Sequence, residues 1–174
     1  MSVQPIARLG NPVLRVQCSP VTRFGSDALR RVADDLRDTL GEFRTRNGFG
    51  RGIAAPQIGS TQRVLFVDAG DPMALVNPAI VRRSRTRMTL WDDCFSFPDL
   101  VVKLKRNVAV EVTYHDLEGR KHRLEAEGSL AELLQHEIDH LDGVLAIDRA
   151  IDSRHIVYRE ELHRREKPAD EIVM

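Results

Sequence analysis

Apolar residues recur at three- and four-residue spacing between positions 29 and 43, as Leu29, Val32, Ala33, Leu36, Leu40 and Phe43, with mostly polar residues between them. That period places them on one face of an α-helix. Ser26 supplies an N-cap ahead of the stripe, and Asn47 and Gly48 mark its end. Residues 1–24, before it, read as an extended, turn-rich entry with turns at Gly10-Asn11-Pro12 and Ser19-Pro20. The stretch GFGRGIAAPQIG that follows the helix holds too much Gly and Pro for a helix or a central strand. From there the period changes to two. Short β-like runs lie at RVLFV (63–67), ALVNPAIV (74–81) and VVKLK (101–105), and Val108, Val110, Val112 and Tyr114 alternate with other residues. Glu118-Gly119 predicts a hairpin turn into a strand over 120–126. A second helix is predicted from near Ser129, striped by Leu130, Leu133, Leu134, Ile138 and Leu141, and a third over about 153–165. Helix, strands, helix is the order of an α+β chain with mainly antiparallel sheet.

Composition narrows the partners. Hydrophobic residues make up 42% and charged residues 30% of the 174, the balance of a globular chain and not of a disordered or fibrous one. The length suits a single domain over 1–174, with a looser charged tail from about 164 to 174. Lys+Arg and Asp+Glu both count 26, so no overall charge draws the chain to nucleic acid or to anionic lipid, and neither is expected as a direct partner. The N-terminus has no basic segment leading into an apolar stretch, and nowhere do about 18 apolar residues run together. A cytoplasmic protein is expected. Cys18 and Cys94 are too few for a disulfide framework, which fits a reducing compartment, although sequence leaves one bridge between them open.

The candidate chemistry lies in the second helix. In His136-Glu137-Ile138-Asp139-His140 the two histidines sit one turn apart on one face, so both imidazoles reach a single metal ion. Glu137 projects beside that ion, near enough to exchange protons with an activated water. The bland alternative is a solvated face that happens to carry two histidines; the glutamate in register and the apolar stripe beside it favour a metal. A catalytic site of this kind takes a third protein ligand and leaves one position open. A histidine three residues after Gly143 would serve, but that residue is Ala146. Glu160 would complete a zinc peptidase with His136 and His140. Cys94, in TLWDDCFSFPD, is the competing donor; its neighbours form no clean strand pattern, so a loop or strand end is expected there. A lone cysteine is otherwise most often a small buried hydrophobe.

Three segments, in order, carry a resemblance: Gly50-Arg51-Gly52-Ile53-Ala54-Ala55-Pro56-Gln57, then Cys94-Phe95-Ser96, then Gln135-His136-Glu137-Ile138-Asp139-His140. They resemble the signature motifs of the peptide deformylases, and LGNPVLRVQCSPV, APQIG and HLDGVLAID look similar as well, so the resemblance covers most of the chain. It implies antiparallel sheets packed around a central metal-binding helix, and a hydrolase of protein biosynthesis that removes the N-formyl group from N-formylmethionyl peptides as formate. By the same resemblance Cys94, His136 and His140 are metal ligands, Glu137 is the general acid and base, and Gln57 is an oxyanion donor helped by the backbone N–H of Phe95. The implied cofactor is one ferrous iron, with zinc, nickel or cobalt tolerated; one sulfur and two nitrogens suit any of these. N-formylated peptides, including nascent chains at the ribosome, are the implied partners. Monomer and homodimer are both left open.

The sequence departs from that pattern around the substrate. Asp93 stands where Gly usually precedes the metal cysteine, Phe95 where Leu is usual and Asp92 where Glu is common. Arg51 occupies a position usually held by a small aliphatic residue lining the methionine pocket, and Ser129 and Glu132 fall where apolar pocket residues are usual. Gly50, Arg51, Gly52 and Glu132 are therefore the expected substrate-binding residues. The two glycines read either as a tight turn or as bare backbone for an extended substrate to pair with. Ser129 and Glu132 also have the S-x-x-E spacing of a capping box. Asp139 reads equally as a solvating residue and as an outer carboxylate orienting an imidazole. An arginine in the pocket wall predicts a formylated substrate with a polar or acidic first side chain.

Overall fold

The computed structural model describes residues 2–162. In chain order it contains α1 (Asp27–Asn47), β1 (Gly52–Ala54), β2 (Val64–Val67), β3 (Met73–Arg83), β4 (Arg87–Asp93), β5 (Leu100–Asn107), β6 (Ala109–His115), β7 (Lys121–Glu127), α2 (Ser129–Leu141) and β8 (Ile156–Tyr158). The strands form two antiparallel sheets, β1-β2-β3-β6-β7 and β4-β5-β8. This is the expected α+β class. Among the described residues no helix is long and apolar enough to cross a membrane. Cys18 and Cys94 are both free thiols, so the bridge left open by the sequence is not made.

The helices form where the pattern says. Ser26 caps α1 by accepting from the Leu29 N–H at 3.3 Å, and Gly48, with φ of 77°, closes it by donating to the Arg44 carbonyl. Leu29, Leu36, Leu40 and Phe43 then pack on Ile53, Val64, Phe66 and Val76. On β2 the side chains alternate. Val64 and Phe66 face α1, while Leu65 and Val67 join Leu133, Leu134, Ile138 and Leu141 of α2. The four-residue run VLFV is continuously apolar because both its faces are covered. Fully burying each such side chain is worth about 1.5–3 kcal/mol.

The helix α2 contacts strands of both sheets and is buried from Leu133 to Leu141, its polar residues included. Gln135 ties it to the end of β5: its side chain accepts from the Asn107 N–H at 3.0 Å and donates to the Asn107 carbonyl at 2.9 Å. In β3, Asn77 and Pro78 shift the register between Val76 and Ala79. Asn77 holds this bulge at φ of 52° by gripping both backbone groups of Val21 at 2.8 Å.

One expectation holds and two change. The Gly- and Pro-rich segment contains an edge strand, β1, and a 3-10 turn at Ala55–Ile58, which agrees with its unsuitability for a central strand. No strand was expected at β4, yet it pairs with β5 along its full length, from Arg87↔Asn107 to Asp93↔Val101. The third helix is not formed over 153–161. There, 3-10 turns at Ser153–His155 and Arg159–Glu161 flank β8, whose backbone pairs with the open edge of β5. Residues 163–165 of that helix and the tail from about 164 lie outside the described residues.

Two glycines, one just beyond α2 and one inside α1, are expected to respond to alanine with opposite signs. Gly143 turns the chain out of α2 with φ of 73°, and a Cβ there would stand 2.6 Å from the Arg15 carbonyl oxygen. Gly143→Ala should therefore cost about 1–2 kcal/mol or more, since neither the backbone conformation nor its neighbour can give. Gly41 lies inside α1 with open space around it, so Gly41→Ala should stabilise by about 0.5–1 kcal/mol. Urea midpoints that move in the same direction for both variants would contradict this account.

Candidate metal centre

Strand β4 and helix α2 bring three soft or borderline donors together. Cys94 follows directly on β4, in a turn closed by the Phe97 N–H on the Cys94 carbonyl at 3.1 Å. His136 and His140 project from one face of α2. The Cys94 Sγ lies 3.3 Å from His140 Nε2, which lies 3.2 Å from His136 Nε2, and all three side chains are buried. Donors bound at about 2.0–2.3 Å around a tetrahedral ion stand roughly 3.3–3.6 Å apart. The spacing and the donor set thus fit one divalent transition-metal ion. Glu160, the alternative ligand, is exposed in the turn after β8 and belongs to no donor group among the described residues.

The ligand face of His136 is fixed from behind. Its Nδ1 lies 2.9 Å and 3.1 Å from the two oxygens of Asp92, so the Nδ1–H points at the carboxylate and Nε2 is left as the donor. Arg106 donates to Asp92 from Nη2 at 2.7 Å and from Nε at 3.2 Å, and to Asp139 from Nη1 at 2.9 Å. Arg149 grips both oxygens of Asp139 at 2.5 Å. Burial alone would raise Asp92, but His136 and Arg106 hold it down at about 2. Burial likewise disfavours a charged His136, and the Asp92 carboxylate outweighs that and raises it well above the ordinary imidazole range. The carboxylate orienting an imidazole is therefore Asp92, and Asp139 instead holds two arginines. Asp93, the added carboxylate beside the cysteine, turns away to Arg159 at 2.8 Å.

Glu137 is buried beside the donors, and its Oε2 has no hydrogen-bond partner. Burial pushes its carboxyl up to about 7. Strand β1 passes so close that a Cβ on Gly52 would stand 2.7 Å from Glu137 Oε1 and 2.9 Å from Leu133, so any side chain there would displace the Glu137 carboxylate. Gly50 lies against the ring of Phe95, which stacks on Phe43 at 3.8 Å between centroids. Gln57 is buried in the 3-10 turn. Its Oε1 accepts the Ala54 N–H at 2.9 Å, which turns the amide Nε2 toward Cys94 Sγ at 3.7 Å and Ser96 Oγ at 3.4 Å.

A cavity of about 500 Å³ joins these groups and is lined also by Gly50, Arg51, Gly52, Phe95 and Glu132. Arg51 donates to Glu132 at 2.8 Å and to the Ser129 carbonyl at 3.2 Å. The capping-box expectation for Ser129 and Glu132 is not met. Gly128 is the N-cap, Ser129 is already the first helical residue, and the Glu132 carboxylate goes to Arg51. Sequence reasoning missed Arg106 and Arg149 altogether. The available signal was Arg106 itself, next in the every-second-residue series Val102, Leu104 that faces inward from β5.

Comparison with known proteins gives a consistent answer. The polypeptide deformylase family model matches residues 3–155. A peptide deformylase of Brucella suis biovar 1 is 44% identical over 154 residues, covering 85% of each chain, and one of Heliobacterium modesticaldum is 42% identical over 150 residues, covering 86% of this chain and 95% of the relative. The crystal structure of the Thermotoga maritima peptide deformylase matches with a TM-score of 0.81 at 34% identity, covering 87% of this chain and 100% of that one. The Met-Ala-Ser-bound class I type b enzyme of Acinetobacter baumannii matches with a TM-score of 0.79 at 32% identity, covering 86% and 99%. This chain, with a sulfur and two imidazoles poised for a metal, belongs to the metal-dependent peptide deformylase family.

Proposed function

We propose that this protein hydrolyses the N-formyl group of N-formylated peptides, releasing formate and a free amino terminus. The observation that carries the reading is the convergence of Cys94 Sγ, His136 Nε2 and His140 Nε2 beside a buried Glu137 oxygen that has no protein partner. Cys94, His136 and His140 hold one divalent ion, ferrous iron in the cell, with zinc, nickel or cobalt able to replace it. When bound, the ion polarises the formyl carbonyl and makes water nucleophilic at neutral pH.

The chain's own residues do the rest. Glu137, raised to about 7, is close to the pKa that suits a proton carrier at neutral pH. It takes a proton from the attacking water and passes it to the departing nitrogen, a poor leaving group until protonated. One C–O bond forms, the C–N bond breaks, and the products are formate and amine. Charge that builds on the carbonyl oxygen is met by the Gln57 amide, already oriented by Ala54, and by the Phe95 N–H. The outer edge of β1, an edge strand, accepts an extended peptide as an added strand. The Met-Ala-Ser peptide bound to the Acinetobacter baumannii relative supports a peptide N-terminus as the ligand class. Formylated peptides in the cytoplasm are the setting this reading favours.

The decisive assay is formate release from formyl peptides by anaerobically purified protein of known metal content. Cys94→Ala, His136→Ala and His140→Ala are each expected to lose the tightly held metal, because two ligands give neither the affinity nor the geometry. One full equivalent retained by Cys94→Ala, measured by plasma emission, would remove the assignment. Glu137→Gln should keep its metal and lose about 10²-fold or more in formate release, since an amide of the same shape carries no proton. Turnover near wild type in that variant would place the proton carrier elsewhere.

A further inference from the structure

Arg51 and Glu132 are charged groups of the cavity wall that this chemistry does not use. Arg51 enters from just before β1 and Glu132 from the first turn of α2; they meet at 2.8 Å, with Arg51 also donating to the Ser129 carbonyl. The Glu132 side chain is 13% exposed and that of Arg51 42%. One Glu132 oxygen lies within 4.8 Å of both a ring nitrogen of His136 and an oxygen of Asp92. The pair therefore stands next to the reacting centre. In a formylated peptide the first side chain branches from the carbon bonded to the scissile nitrogen. Its end lies only a few bonds from the bond that breaks, within reach of this pair.

Resting on the deformylase reading above, we propose that the Arg51–Glu132 pair determines specificity, selecting formylated substrates whose first side chain ends in a carboxamide over those beginning with methionine. The pair presents N–H donors and carboxylate lone pairs side by side. Arg51 has five N–H groups and the cavity-wall contacts use two, so donors remain. A glutamine or asparagine side chain matches both partners at once, its oxygen accepting from Arg51 and its NH₂ donating to Glu132. It adds no charge. A methionine thioether is a weak acceptor and no donor, so it would strip water from two charges and return almost nothing. A carboxylate is the partner that Arg51 alone predicts. Arg51 is already committed to Glu132, however, and an acidic substrate would face the Glu132 and Asp92 carboxylates. The structure thus narrows the expected polar or acidic preference to the neutral amide. An ammonium group would satisfy Glu132 but confront Arg51.

The test compares kcat/KM for formate release from formyl-Gln, formyl-Met, formyl-Glu and formyl-Lys tripeptides of otherwise equal sequence. It uses the metal-loaded wild type and an Arg51→Ile/Glu132→Ile double variant, in which neither charge is left alone. The wild type should prefer formyl-Gln to formyl-Met by about tenfold or more, and the double variant should reverse the order. Binding of the products Gln-Ala-Ser and Met-Ala-Ser to the wild type, measured by calorimetry, gives a second readout that needs no variant to fold; Gln-Ala-Ser should bind more tightly. Formate from all the peptides with formyl-Met preferred, or tighter binding of Met-Ala-Ser, overturns the specificity inference alone. No formate from any of them, with metal present, overturns the deformylase reading on which it rests.

Discussion

The placement of the site depends on Arg106. Its side chain is 2% exposed, and a guanidinium taken that far from water is tolerated only when its charge and its N–H groups are met. Asp92 from β4 and Asp139 from α2 meet them, with Arg106 reaching between from β5. Three elements that approach from different parts of the chain are thereby fixed against one another. Cys94 hangs on the end of one and both histidines on another, so the distance between the sulfur and the imidazoles is set by this pairing. Asp92 serves twice, because the carboxylate that neutralises Arg106 also receives the Nδ1–H of His136. Removing one member of such a buried group typically costs about 3–5 kcal/mol, and here it would also free a ligand to rotate.

A helix buried on nearly all sides must account for every polar atom it carries. In α2, Gln135 is answered by Asn107, His136 by Asp92, and Asp139 by Arg106 and Arg149. What stays unanswered there is Glu137 Oε2 and His140 Nδ1. Buried polar atoms are rarely left without partners, so in a helix otherwise so fully paired the orphan carboxylate oxygen supports the role proposed for Glu137. Desolvation also raises the Glu137 carboxyl, so the same burial that leaves it alone gives it a useful proton affinity.

The parts legible in the sequence were those governed by local rules. The period of α1, its Ser26 and Gly48 caps, the alternation in β6 and the i, i+4 histidines all follow from spacing and φ preference, and each is formed as read. What failed involved long-range partners. In β4 the half-buried Met88 and Leu90 and the buried Asp92 alternate with exposed Arg87 and Thr89, but Trp91 and Asp93 also line the cavity, so the strand shows no clean two-residue polarity period. At β8 the backbone was claimed by the free edge of β5, which outweighed a helix-like sequence. The spacing of Ser129 and Glu132 fits a capping box, but Glu132 found a stronger partner in Arg51 from a distant segment. Arg106 continues the inward alternation of Val102 and Leu104, but its burial depends on Asp92 and Asp139, partners from other elements that nothing in VVKLKRN names.

Arg51 and Glu132 are 81 residues apart in the chain and 2.8 Å apart in space, and their charges are best understood together. An arginine alone in that wall would need water or a counterion beside the reacting centre, where both Asp92 and His136 already depend on a settled charge balance. A glutamate alone would add a second carboxylate within 4.8 Å of Asp92 and of a candidate ligand, raising the cost of keeping either ionised. Present as a pair they add no net charge, so the donor group and Glu137 see nearly the field they would see with an apolar wall. Hydrogen-bonding capacity, however, is changed in the cavity wall beside the donor group. The pair thus leaves the hydrolytic chemistry alone and acts only on what is allowed to approach it.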